Sequence, residues 1–196
     1  MMDLAQRLPD SVAYGRRRYK LRTEFFRVLQ CFEIIRNQDF LPEDQIAMCL
    51  NTLVRGRIPS TFAARVELFK SILEQYINPE PPKKKQPKAL DFEHDAKYIF
   101  AGFMQAYHID LTCSSLHWWA FLALLACLPD DTKMAKIIHI RTCEIPKPTK
   151  HNAEQRAKLI RLKAEWGVYK TDEERARELQ EGLKKMVIAM ESMTKR

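Results

Sequence analysis

The sequence predicts a mainly α-helical fold: a bundle of about seven or eight helices with a small N-terminal β-hairpin. Three observations carry this. Glycine is scarce, at 5 of 196 residues, while Leu, Ala, Glu, Lys, Arg and Gln are plentiful, a composition that favours helices over turn-rich barrels and sandwiches. Apolar residues recur at three- and four-residue steps through most of the chain. Near the N-terminus, one glycine-containing turn separates two Val/Tyr-bearing runs. Hydrophobic residues make up 46% and charged residues 30%, which excludes wholesale disorder and leaves enough apolar mass for a core.

The hairpin spans Ser11–Tyr14 and Arg17–Arg22 around Gly15-Arg16. From Thr23, a plausible N-cap, residues Phe25, Val28, Leu29, Phe32 and Ile35 mark a first helix. A second starts near Pro42-Glu43, carries Ile46, Leu50 and Leu53, and stops at Gly56. A third follows Pro59-Ser60 with Phe62, Val66, Phe69, Leu73 and Tyr76, and ends at Asn78-Pro79. Residues 78–90 are rich in Pro and Lys and form a linker between lobes or a long surface loop. Asp91 caps a helix bearing Phe92, Ala96, Ile99, Phe103 and Ala106; Ser114 or Ser115 caps the apolar helix that ends at Leu128-Pro129. Asp131 or Thr132 caps a short helix with Met134, Ile137, Ile138 and Ile140. Asn152 caps one with Leu159, Leu162 and Trp166, stopped by Gly167. Thr171-Asp172-Glu173-Glu174 is a capping box for a last, C-terminal amphipathic helix. The organisation is therefore 1–77 (hairpin and helices), 78–90 (linker or loop), 91–166 (hydrophobic helical region) and 167–196 (terminal helix).

Net charge is +8. Residues 1–77, 78–90 and 151–196 each carry +3, and 91–150 carry −1, so the excess lies in the flanks and linker. The five cysteines contain no CxxC and follow a polar start without an export signal, so reduced thiols are expected. The longest apolar run, Leu116 to Leu128, is thirteen residues, short of the roughly 18 needed for a membrane span. No membrane partner is expected.

Catalytic and metal signatures are weak. Cys113 and His117, and His139 and Cys143, lie four apart, but zinc sites normally build on tighter spacings, and core or surface roles explain them better. Asp110, Ser114 and His117 lie close in sequence without a nucleophile turn. No glycine-rich phosphate loop or calcium loop occurs. The expectation is a non-enzyme with no catalytic residue, cofactor or metal. Arg16-Arg17-Arg18, at the hairpin tip, and Lys83-Lys84-Lys85 are short basic runs that keep nucleic-acid binding as the alternative. The scattered charge favours a solvated surface instead.

Partner binding is the favoured class. Leu179, Leu183, Met186, Met190 and Met193 form an apolar stripe opposite a charged face. Methionine suits surfaces that adapt to varied partners. Trp118 and Trp119 point about 100° apart on a helix, so one can enter the core while the other faces a partner or a neighbouring helix. For the stripe, packing on the protein's own core is the alternative to partner binding or self-association.

The stretch Asp91-Phe92, Asp95-Ala96, Tyr98-Ile99, Phe103, Tyr107, Ile109-Asp110-Leu111 forms half of a pattern. It continues through Leu116-His117-Trp118-Trp119, Phe121, Ala123-Leu124-Leu125 and Leu128-Pro129-Asp130-Asp131-Thr132-Lys133 to Ile137-Ile138 and Ile140-Arg141-Thr142. With Leu8-Pro9, Ser11-Val12 and Thr23-Glu24-Phe25, it resembles the bacteriophage gene-product-fifteen family of phages and prophages of Gram-positive bacteria. The resemblance implies siphophage tail morphogenesis: a tail assembly chaperone that binds the tape measure protein, or another tail protein, in the host cytoplasm. It implies no enzyme activity and no cofactor.

Overall fold

The computed structural model describes residues 5–78, 89–149 and 151–168. Among them are seven α-helices and one two-stranded antiparallel sheet, with 56% of residues helical. The mainly α reading with its N-terminal hairpin holds. The described residues fall into two compact units, one of 5–78 with 95–137 and one of 89–94 with 138–168.

The first unit opens with the hairpin, β1 (Ser11–Tyr14) and β2 (Arg17–Lys20), paired from Ser11 opposite Lys20 to Tyr14 opposite Arg17. Gly15 takes φ +58° at the first central position of the turn, a conformation in which a Cβ is strained. The sequence expectation ran this second strand on to Arg22. Instead the strand ends at Lys20: the Leu21 amide still donates to Asp10 O at 2.7 Å, but Leu21 also bridges Val54, and the Arg22 and Arg55 amides donate to the Leu53 and Lys20 carbonyls at 2.7 and 2.8 Å.

This crossing also explains where α2 (Pro42–Leu53) ends. Val54 turns extended to pair with Leu21, so the helix stops three residues before Gly56 (φ +106°). The Arg22 guanidinium then caps it, donating to Asn51 O at 2.6 Å and Val54 O at 3.1 Å, a favourable place for a cation at a helix C-terminus.

Helix α1 (Phe25–Arg36) starts at Glu24, with no side-chain cap. Thr23 is not the cap because its carbonyl is engaged elsewhere, accepting the Trp118 amide at 2.8 Å and the Tyr76 hydroxyl at 3.0 Å. Helix α3 (Phe62–Ile72) passes into a π-helical turn over Leu73–Ile77, closed by Asn78 N–H on Leu73 O at 2.8 Å.

Helix α4 (Ala96–Tyr107) begins four residues later than the apolar pattern suggests, and His108 ends it at φ 55°. Helix α5 (Trp118–Ala126) is capped by His117, not by Ser114 or Ser115. Helix α6 (Lys133–Thr142) follows Thr132, whose hydroxyl accepts the Ala135 amide at 3.3 Å and donates to Pro129 O at 2.7 Å. Thr132, of the two expected caps, holds the place.

The core of this unit is centred on Phe121, 1% exposed. It stacks on Phe25 (4.6 Å, 12°), Phe103 (5.3 Å, 19°) and Trp118 (5.9 Å, 22°). Three side chains from α1, α4 and α5 thus meet one ring, an arrangement that contributes beyond area alone. Helices from both sides of the 78–90 segment share this core. Gly102 lets Leu128 close on α4, since a Cβ there would lie 3.2 Å from the Leu128 side chain.

In the second unit, α7 (Ala153–Trp166) is preceded by Asn152 and followed by Gly167, as expected. Asn152 works one step outside the helix: its carboxamide accepts the Thr149 amide at 2.8 Å and donates to Lys147 O at 2.9 Å. Arg156 donates to Pro146 O. Buried Arg141 ties the unit together, donating to Trp166 O at 2.7 Å and Ala89 O at 3.1 Å, while Lys163 donates to Arg141 O at 2.9 Å.

Candidate functional site

The paired tryptophans begin α5. Trp118 is buried and Trp119 half-buried. Their indole N–H groups donate to consecutive carbonyls, Trp118 to Ile77 O at 3.1 Å and Trp119 to Tyr76 O at 2.7 Å. Those carbonyls end the π-helical turn, where the backbone runs out of its own donors. Two adjacent indoles therefore cap one helix end. The stripe of Leu179, Leu183, Met186, Met190 and Met193 lies outside the described residues.

His117 sits between these elements. Its Nδ1 accepts the Trp119 amide at 3.0 Å, and its Nε2 lies 3.0 Å from Pro9 O. A carbonyl only accepts, so Nε2 carries the proton and the ring is neutral. Burial pushes its pKa down; Pro9 O and Asp10 oppose this. The Tyr76 ring packs edge-on at 5.7 Å, and burial, with Glu24, pushes its phenol up. Both His117 nitrogens are spent on backbone, and the Cys143 thiol donates to Ile140 O at 3.3 Å.

Among the described residues, one group of possible metal ligands lies close together: Asp91, Glu93 and His94, with ligand atoms within 4.8 Å. Asp91 was expected to cap a helix. Its Oδ1 instead accepts the Glu93 and His94 amides at 3.1 and 3.3 Å, and Oδ2 faces His94 Nδ1 at 3.2 Å. Burial pushes the Asp91 carboxyl up, but the His94 and Glu93 amides and the His94 ring outweigh it and hold the pKa low. Its oxygens are engaged in building a turn, which explains both the cluster and the late start of α4.

Two surfaces of the first unit stand out. At the α1–α2 end, Gln45 donates to the carbonyls of Ile34, Ile35 and Asn37 at 3.2, 3.2 and 2.6 Å, fixing the connection. Around it, Ile35 (45%), Phe40 (38%), Leu41 (69%) and Met48 (38%) are exposed. Leu41 is the extended residue that precedes α2, and Met48 lies within that helix. This apolar group was not anticipated, because Ile35 reads as a core position by spacing alone.

The second surface is a cleft of about 540 Å³ between the hairpin tip and the loop before α3. Tyr14, Arg16, Arg17, Tyr19, Arg57 and Thr61 are among its walls, and no lining residue is acidic. The Arg run was visible in the sequence. Arg57 is remote from it in sequence, and the Leu21–Val54 bridge, with the packing of α3 on β1, brings the two segments together.

No curated protein and no solved structure matches the chain. A family model described as Bacteriophage Gp15 protein matches residues 4–168. That span covers every described residue, both units and all seven helices. The chain therefore belongs to the bacteriophage Gp15 protein family.

Proposed function

We propose that this phage protein is a non-enzymatic tail morphogenesis factor, a chaperone that binds the tape measure protein in the host cytoplasm during assembly. The observation that carries the reading is the group of exposed apolar residues Ile35, Phe40, Leu41 and Met48 at the α1–α2 end, of which Leu41, at 69%, is the most exposed of the large apolar side chains among the described residues. Exposed apolar side chains gathered at one end of a helix pair suit protein association. Leucine, phenylalanine and methionine around a short interhelical end suit an amphipathic helix laid across them. A tape measure protein offers many such helices. The engaged nitrogens of His117 support the absence of acid–base chemistry there.

Co-expression with the tape measure protein of the same phage tests this, read by size-exclusion chromatography with light scattering. The expected result is a soluble complex, while the tape measure protein alone aggregates. The double variant Phe40→Ser, Leu41→Ser keeps the wild-type circular dichroism and loses the complex. Failure of the wild-type chain to co-elute, with the tape measure protein still insoluble, sinks the proposal.

A further inference from the structure

We propose that the cleft at the hairpin tip is a binding site for single-stranded nucleic acid. Charge that looks scattered along the sequence converges here. Residues 11–23 hold Arg16, Arg17, Arg18, Lys20 and Arg22 with no Asp or Glu, and residues 45–66 hold Arg55, Arg57 and Arg65, again with no acid. The bridge between Leu21 and Val54 lays these two segments side by side. Two of the cations serve the fold: Arg22 caps α2, and Arg65 donates to Pro59 O at 2.8 Å. The side chains of Arg16, Arg17 and Arg57 are exposed and take no hydrogen bond or ion pair among the described residues, yet all three line the cleft.

Three unpaired guanidinium groups around one concavity call for a multiply charged anion, and their planar forks match phosphate oxygens. Helix α3 adds the positive end of an 11-residue helix, with no acid in its first turn and no side-chain bond from its Thr61 cap. The aromatic component separates a nucleic acid from a simple anion. Tyr14 and Tyr19, with ring centroids 6.4 Å apart, line the same cleft. Basic grooves interleaved with aromatic rings bind single strands by backbone attraction and base stacking, with little regard for sequence. An acidic peptide would use the arginines and leave the tyrosines idle.

The test uses the full chain and a fluorescent oligothymidylate of about twelve nucleotides, followed by anisotropy across a salt series. Three phosphate contacts predict a slope of log affinity against log salt near −2, from about −0.7 per contact on a single strand. Replacing Arg16, Arg17 and Arg57 by Gln removes most of that slope and weakens binding at least about tenfold at low salt. Replacing Lys83, Lys84 and Lys85 by Gln removes the same charge elsewhere and leaves binding within about twofold of wild type. Tyr14→Leu weakens binding without changing the slope, because stacking releases no counterions. Absence of binding at low salt overturns the proposal. So does an equal loss in the lysine variant, or displacement of the oligothymidylate by poly-glutamate as readily as by the unlabelled strand. The last outcome would make the cleft a site for acidic protein segments.

Discussion

A neutral imidazole is the cap that α5 requires. His117 offers its Nδ1 lone pair to the Trp119 amide and its Nε2–H to Pro9 O, so protonation of Nδ1 removes the acceptor while the helix end still needs one. The folded-state pKa is lowered, chiefly by burial. Its contribution to stability is complete above the unfolded value of about 6.5 and declines as pH falls below it, because the unfolded chain takes up a proton that the folded chain resists. Urea midpoints should therefore drop between about pH 7.5 and 5.5, still above the carboxylate range. His117→Asn keeps a capping acceptor that does not titrate, and its midpoint should change less over that interval. Identical pH profiles for the two proteins would show that His117 does not carry the dependence.

Between elements, the decisive contacts are the indole caps on the π-helical turn and the stack around Phe121. They differ in kind, and so in expected cost. Trp119→Phe keeps an aromatic ring but leaves Tyr76 O without its donor, a loss of about 1–2 kcal/mol. Phe121→Ala empties the centre of a stack built from α1, α4 and α5, and should cost about 3–5 kcal/mol. Equilibrium unfolding by circular dichroism checks both, and a cost for Phe121→Ala no larger than that for Trp119→Phe would displace Phe121 from the core's centre. The helices themselves were legible in the sequence, because a 3.6-residue apolar period survives whatever the tertiary context. The hairpin was legible through Gly15, and α7 through Asn152 and Gly167. Helix starts were less so, since distant partners set them. Glu24 begins α1 where it bridges His117, and Asp91 is consumed by its own turn. The basic cleft was half legible for the same reason: Arg16 and Arg17 are neighbours in sequence, but Arg57 reaches them through tertiary contacts, the Leu21–Val54 bridge and the packing of α3 on β1.

At the scale of the whole chain, the boundary that matters lies near residue 168. The family match ends there, before the Met-bearing segment. The Trp166 carbonyl at the end of α7 is satisfied by Arg141, so a chain cut after Val168 leaves no orphaned acceptor at that bond. If the apolar group at the α1–α2 end is the docking site, the shortened chain still holds the tape measure protein in solution. The stripe of Leu179, Leu183, Met186, Met190 and Met193 would then act as a second contact. A second contact on the same chain raises retention without creating the first. The expected effect of the cut is faster dissociation with the complex still formed, since changes at an interface act mainly on the off-rate. Biolayer interferometry on an immobilised tape measure fragment reads both rates. Complete loss of binding in a normally folded cut chain would move the docking site into 169–196 and leave the group Ile35, Phe40, Leu41 and Met48 without a role in that complex.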